Sequence, residues 1–102
     1  MKKDSFIKIK GFDWDKANKY KSLEKHKVEF KECEQVFFNK PIFISKDIKH
    51  SKREKRFRCL GKTQNNRLLF ISFTFRNNQI RVISARSQSK KERRKYEKTK
   101  KT

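Results

Sequence analysis

The sequence predicts an α+β fold in which two N-terminal helices pack on an antiparallel β-sheet and a short helix follows at the C-terminus. Three observations carry this prediction. Apolar residues recur at helical spacing through the first forty positions, two β-type runs meet at Asn77-Asn78, and Ser89-Lys90-Lys91-Glu92 has the form of a capping box. A chain of 102 residues bounds a single domain over 1–88, with a basic helix and tail over 89–102. Apolar residues make up only 32%, but ten phenylalanines supply the bulk for a small core.

Phe6, Ile7 and Ile9, interleaved with lysines and ended by Gly11, predict a short first strand. A helix is then expected to start near Asp13 or Asp15, because aspartate caps a helix start and suits the positive end of its dipole. Trp14, Ala17, Tyr20 and Leu23 would form its buried stripe, and Lys25-His26-Lys27 would close it. Phe30, Cys33, Val36 and Phe37 predict a second, shorter helix that Pro41 ends at the latest. Ile42 to Ile44 reads as a brief strand and Lys46 to Lys55 as a charged loop. Phe57, Cys59 and Leu60 begin a strand running to Gly61 or Lys62, and Thr63 to Asn66 makes the next turn. The final helix starts at Lys90. With Tyr96 as its one large apolar side chain, it is expected to fray or to dock on a partner.

Residues 67–86 are the most informative stretch. Asparagine tolerates positive φ, so Asn77 and Asn78 suit the centre of a two-residue hairpin turn. That turn pairs Phe75 with Ile80 and Thr74 with Arg81. By the two-residue period of a strand, Leu69, Ile71, Phe73, Phe75, Ile80 and Val82 share one face. Thr74, Arg76 and Arg81 share the other. In the preceding strand Arg56 and Arg58 lie opposite Phe57 and Cys59, so the basic face extends across three strands. A guanidinium held on a rigid sheet is a planar fork of donors that stays charged at any cellular pH, which suits phosphate. Arg86 has the opposite parity to Arg81, which places it at the edge of this face or on the approach to the last helix.

Lysine and arginine number 31 against 11 acidic residues, a formal charge of +20. The part after Arg86 holds only +6 of this, so the folded body is itself strongly basic. A polyanion such as nucleic acid, or an acidic protein, is the expected partner. No long amphipathic helix pairs a basic face with a broad apolar one, so a membrane is not. Met1-Lys2-Lys3 is followed by no continuous apolar run, since Lys8, Lys10 and Asp13 interrupt it, and a cytoplasmic location is expected. Cys33 and Cys59 are too few and too far apart for a metal site, and are expected as buried, reduced thiols. There is no glycine-rich phosphate loop, nucleophile elbow or acidic cluster, so neither a metal nor another cofactor is expected. His26 and His50 are the only side chains that ordinarily titrate near neutrality. His26 ends a helix; His50 shares a loop with Glu54 just before Arg56.

Phe12-Asp-Trp14-Asp15, Asn18 and Lys25-His26-Lys27-Val28-Glu29-Phe30 resemble the opening of the BrnT family of type II toxins. His50, Glu54, Arg56, Leu60 and Gly61 then follow at that family's spacing. Thr74-Phe-Arg76, Ile80-Arg81-Val82-Ile83-Ser84-Ala85-Arg86, Glu92, Arg93 and Tyr96 resemble its most characteristic block. Two positions depart from the pattern. Lys27 replaces a glycine that usually follows the histidine, and Phe75 stands where a glutamate is common.

The resemblance implies a fold similar to the RelE toxins, metal-independent RNA cleavage that inhibits translation, and neutralisation by a BrnA-type antitoxin in a toxin–antitoxin hetero-oligomer. In such cleavage a base deprotonates the 2′-hydroxyl, an acid protonates the leaving oxygen and cations hold the phosphate. Arg76 and Arg81 are the first candidates for the phosphate, then Arg56. His50 leads for proton transfer, followed by His26 or Lys25. Lys25, Arg58, Thr74 and Arg86 would line the RNA, although the position of Arg86 also suits contact with the antitoxin. A basic nucleic-acid-binding module without catalysis, or a structural subunit whose basic surface holds an acidic partner, would share this composition.

Overall fold

A computed structural model describes residues 10–100. The strand expected at Phe6 to Ile9 lies outside the described residues. In chain order the elements are β1 (Gly11–Phe12), α1 (Lys21–His26), α2 (Phe30–Phe38), β2 (Phe43–Lys46), a 3₁₀ turn (Ile48–His50), β3 (Arg56–Lys62), β4 (Leu68–Arg76), β5 (Gln79–Ser87) and α3 (Lys90–Lys100). They form an α+β fold around one five-stranded sheet of order β1-β5-β4-β3-β2. β2 to β5 are an antiparallel meander, whereas β1 runs parallel to β5. The sheet is therefore mixed rather than antiparallel throughout. The parallel pair is only two residues long, Gly11 with Gln79 and Phe12 with Ile80, and the Lys10 and Asp13 amides extend it by donating to Asn78 and Ile80 carbonyls.

The hairpin forms in the expected register, with Phe75 opposite Ile80 and Thr74 opposite Arg81. Asn77 and Asn78 have φ of 52° and 63°, the two positive values that a twisted two-residue hairpin turn requires. Further along, the register slips. Ser72 pairs with Ser84 but Phe73 pairs with Val82, so Ile83 is an unpaired bulge residue. Strand parity inverts there, and Ala85 rather than Ser84 enters the core. The hydroxyl oxygen of Ser22 on α1 accepts the Ala85 amide at 2.9 Å and ties this part of β5 to the helix layer.

The inner sheet face and α2 enclose the core. Cys33 and Val36 meet Cys59, Leu69, Ile71, Phe73, Val82 and Ala85, all essentially inaccessible. Both thiols are free and buried, and burial raises both, Cys33 to about 12. Phe73 sits edge-on to Phe37 at 5.0 Å, with Phe57 and Phe75 beside it. Gly61 allows α2 to approach β3, because a Cβ there would lie 2.6 Å from Val36 Cγ1.

The first helix is much shorter than its apolar period predicted. Residues 16–20 form turns and α1 begins only at Lys21. Two side chains take the backbone out of the helix: Asp15 accepts the Ala17 amide at 2.8 Å and Asn18 Oδ1 accepts the Asp15 amide at 2.8 Å. Asn18 is buried, and its amide group donates to the Asp13 and Val82 carbonyls, locking this turn onto β5. Consequently Ala17, Tyr20 and Leu23 do not form a buried stripe; Tyr20 is 50% exposed. Trp14 alone of that set packs inward, edge-on to Phe30 and with its indole N–H donating to Glu34. Lys27 ends α1 in the left-handed region at φ 55°, ψ 39°, its amide donating to Leu23 and that of Val28 to Ser22. The lysine adopts the conformation for which glycine is suited.

α3 does not depend on a partner for its anchor. It lies against the opposite, outer sheet face, where Leu60 lines a cleft with Lys91 and Lys95. Tyr96 is wholly buried and its hydroxyl donates to the Pro41 carbonyl at 2.7 Å. The capping box is present, with Glu92 accepting the Ser89 amide and Ser89 Oγ accepting the Glu92 amide.

Candidate nucleic-acid interface

Strand pairing arranges the outer face in rows that change chemistry from one end to the other. Under α3 lies an apolar row, Phe43, Leu60 and Phe70, with Arg86 at its end. Next comes Ser45, Arg58, Ser72 and Ser84, and after it Arg56, Thr74 and Arg81. Arg76, paired with Gln79, completes the series. Arg58, Arg56 and Arg76 thus stand in successive rows, on rigid β-strands, beyond the edge of α3.

The loop between β2 and β3 closes over the end of this row. Lys49, His50, Lys52, Arg53 and Glu54 line one open depression with Arg56 and Arg76. Glu54 bridges the two arginines, at 3.9 Å to Arg56 and 3.4 Å to Arg76. Asp47 begins the 3₁₀ turn, accepting the His50 amide at 3.3 Å, and its carboxylate engages Nδ1 of the same histidine at 2.9 Å. A carboxylate on Nδ1 fixes the ring orientation and leaves Nε2 for proton exchange. The imidazole is largely exposed, and Arg76 is half exposed. The arrangement brings an imidazole and several cationic side chains to one open surface. Asp47 is the partner that pattern reasoning missed; its position three residues before His50, at a turn start, is the available signal. Among the described residues, no three His, Cys, Asp or Glu side chains converge as metal ligands would.

The other sequence candidates stand elsewhere or are already engaged. Arg81 is on the expected face, but its side chain is only 12% exposed and is held by Asp13 at 3.4 Å and Asp15 at 3.0 Å. The Arg81 hydrogen bonds hold the Asp15 carboxyl below the usual carboxylate range and raise the guanidinium in turn. Thr74 is also on that face, yet buried, its hydroxyl donating to the Lys55 carbonyl at 2.7 Å. It fastens the loop rather than facing solvent. Arg86 departs from the parity count, because the bulge at Ile83 returns it to the outer face opposite Phe70. There its guanidinium stacks over Phe70 at 4.2 Å and forms a two-point pair with Glu92, at 2.8 and 3.0 Å.

His26 and Lys25 are not brought to the depression. The carbonyls of His26 and Lys27 accept hydrogen bonds from Arg67, which immediately precedes β4, while Arg76 ends that strand. Nine residues of extended chain separate those ends by roughly 30 Å. Phe75, at the position of the resemblance's glutamate, packs edge-on to Phe57 and Phe73. The carboxylate next to Arg76 is instead Glu54.

A family model described as the ribonuclease toxin BrnT of type II toxin-antitoxin systems matches residues 14–92. The chain belongs to the BrnT family. The match to these toxins runs from the segment that holds Arg81 to the glutamate that holds Arg86, and includes the whole sheet from β2 to β5 and the His50 loop. Ribonuclease activity, an RNA target and an antitoxin partner come with BrnT membership. No curated protein matches the chain.

Proposed function

We propose that this is a RelE-like, metal-independent ribonuclease that inhibits translation by cutting RNA and is neutralised by a BrnA-type antitoxin. The observation that carries the reading is the depression in which His50, oriented by Asp47, lies with Arg56 and Arg76. His50 Nε2 takes the proton of a 2′-hydroxyl as that oxygen attacks the adjacent phosphorus. The bond from phosphorus to the 5′-oxygen breaks, and the leaving oxygen takes a proton from a lysine of the loop or from water. Arg56 and Arg76 stabilise the charge that accumulates on the phosphate, displacing Glu54 from between them as it enters. The products are a 2′,3′-cyclic phosphate end and a 5′-hydroxyl end. Lys25 and His26 have no part in this step, and Arg81 supports the face from beneath.

The test incubates the protein with single-stranded RNA in excess chelator and identifies the new ends. Cyclic phosphate ends are expected, and Arg76→Ala is expected to slow cleavage by roughly 10²-fold, the usual effect of removing one transition-state donor. RNA that stays intact but bound would establish the non-catalytic binding module instead. Cleavage that stops with chelator and returns with magnesium would overturn the metal-free step. Growth arrest on induction, relieved by an adjacent gene product, tests the antitoxin.

A further inference from the structure

A second concave feature on the outer face is separate from the His50 depression. It lies between α3 and the sheet, with a volume near 280 Å³ and Phe43, Leu60 and Phe70 for its apolar walls. Arg58, Lys91 and Lys95 rim it, and Glu92 is the one carboxylate in its lining. We propose that this cleft is a nucleobase subsite, which takes one unpaired base of the RNA strand whose phosphates cross the arginine row. The proposal rests on the reading of the outer face as an RNA surface and adds to it where a base, rather than a phosphate, is held.

Several observations lead to a base. An apolar slot with a cationic rim fits a flat aromatic ring attached to a phosphate, and single-stranded RNA is recognised largely by stacking its bases on aromatic side chains and guanidinium planes. Arg86, which is not in the lining of the cleft, lies 4.2 Å from the Phe70 ring centre and is clamped at two points by Glu92, so the Phe70 wall is fixed before a base arrives. Lys95 lies 4.9 Å from the Phe43 ring. Arg58 is two residues from Leu60 along β3, about 7 Å, comparable to the step between neighbouring phosphates of a single strand. Ser45 Oγ accepts the Arg58 Nε hydrogen bond at 3.3 Å and holds that guanidinium between the slot and the arginine row.

The experiment measures binding of uncleavable 2′-O-methyl oligonucleotides in which one position at a time is abasic, so that it does not depend on catalysis. One position is expected to weaken binding roughly tenfold when its base is removed, the order of a single stacking contact. Phe43→Leu and Phe70→Leu, which keep most of the volume but remove the aromatic planes, should abolish the dependence on that base. If abasic substitution is without effect at every position while binding remains salt-sensitive, the subsite is overturned and the RNA surface stands. If no oligonucleotide binds, both readings fall. Should the leucine variants not fold, the abasic scan on the unaltered protein decides.

Discussion

Arg76 and Arg81 leave the same sheet face, and their partners give them different roles. Arg76 meets one carboxylate, is half exposed and borders His50. Arg81 is enclosed by two carboxylates from a segment 66 residues away in the chain. Arg81→Ala is therefore expected to lower the melting temperature, because Asp13 and Asp15 lose their shared cation and the turn before α1 loosens from β5. Arg76→Ala should leave the melting temperature unchanged; equal thermal losses in both variants would show that Arg76 is structural too. Lys27 illustrates how far local chemistry can be bent. A side chain in the left-handed region costs about 1 kcal/mol relative to glycine, so Lys27→Gly should stabilise the protein by about that amount, read as a higher denaturation midpoint with unchanged slope. At this scale residue types were legible in the sequence but their partners were not. Nothing near Arg81 in the chain announces Asp15, and nothing near Thr74 announces the Lys55 carbonyl.

Among the elements, β5 and α3 are coupled through Arg86. A single extra residue at Ile83 inverts strand parity and brings Arg86 under α3. There its pair with Glu92 joins strand to helix, while Tyr96 anchors the helix through the Pro41 carbonyl. Arg86 holds the Glu92 carboxyl below its ordinary value of 4.5. A carboxyl lowered in the folded state contributes stability that is fully present above the ordinary value and is lost as pH falls through the lowered one. Helix α3 is therefore expected to loosen below about pH 4.5, seen as loss of helical circular dichroism and of protection at the Tyr96 ring. Asp15 adds to the same acid limb through Arg81. Glu92→Gln should remove the part of the pH dependence that belongs to α3, and an unaltered acid profile in that variant would refute the assignment. A bulge has no reliable mark in a strand of alternating residues, so strand counting gave Arg86 the opposite parity to Arg81, although the approach to the last helix is where it stands.

For the whole molecule the leading quantity is the charge of +20, and the fold decides which part of it is available. Arg56, Arg58 and Arg76 face solvent in successive rows, with Arg56 and Arg76 sharing the one carboxylate of Glu54, whereas Arg81 is enclosed by two carboxylates and Arg86 is held at two points by Glu92. Binding of single-stranded RNA should weaken with salt, and each phosphate contact contributes about −0.7 to the logarithmic slope. Replacing Arg56, Arg58 and Arg76 together by alanine should reduce the slope by about 2, and replacing Arg81 and Arg86 should change it much less. Equal slopes would mean that the polyanion tracks lysines elsewhere on the surface. What could be read along the chain was whatever depends on near neighbours: the α+β class, the Asn77-Asn78 turn with the register beside it, the second helix, the capping box, and a basic face opposite a phenylalanine core. The Asn18 bond to Val82 that locks the turn before the short first helix, the parallel β1, the bulge and the separation of His26 from Arg76 were decided by tertiary structure. Each depends on side chains competing for backbone groups, or on contacts across a sheet whose edges the sequence does not mark. Free energies of that kind exist only once distant segments have been packed together.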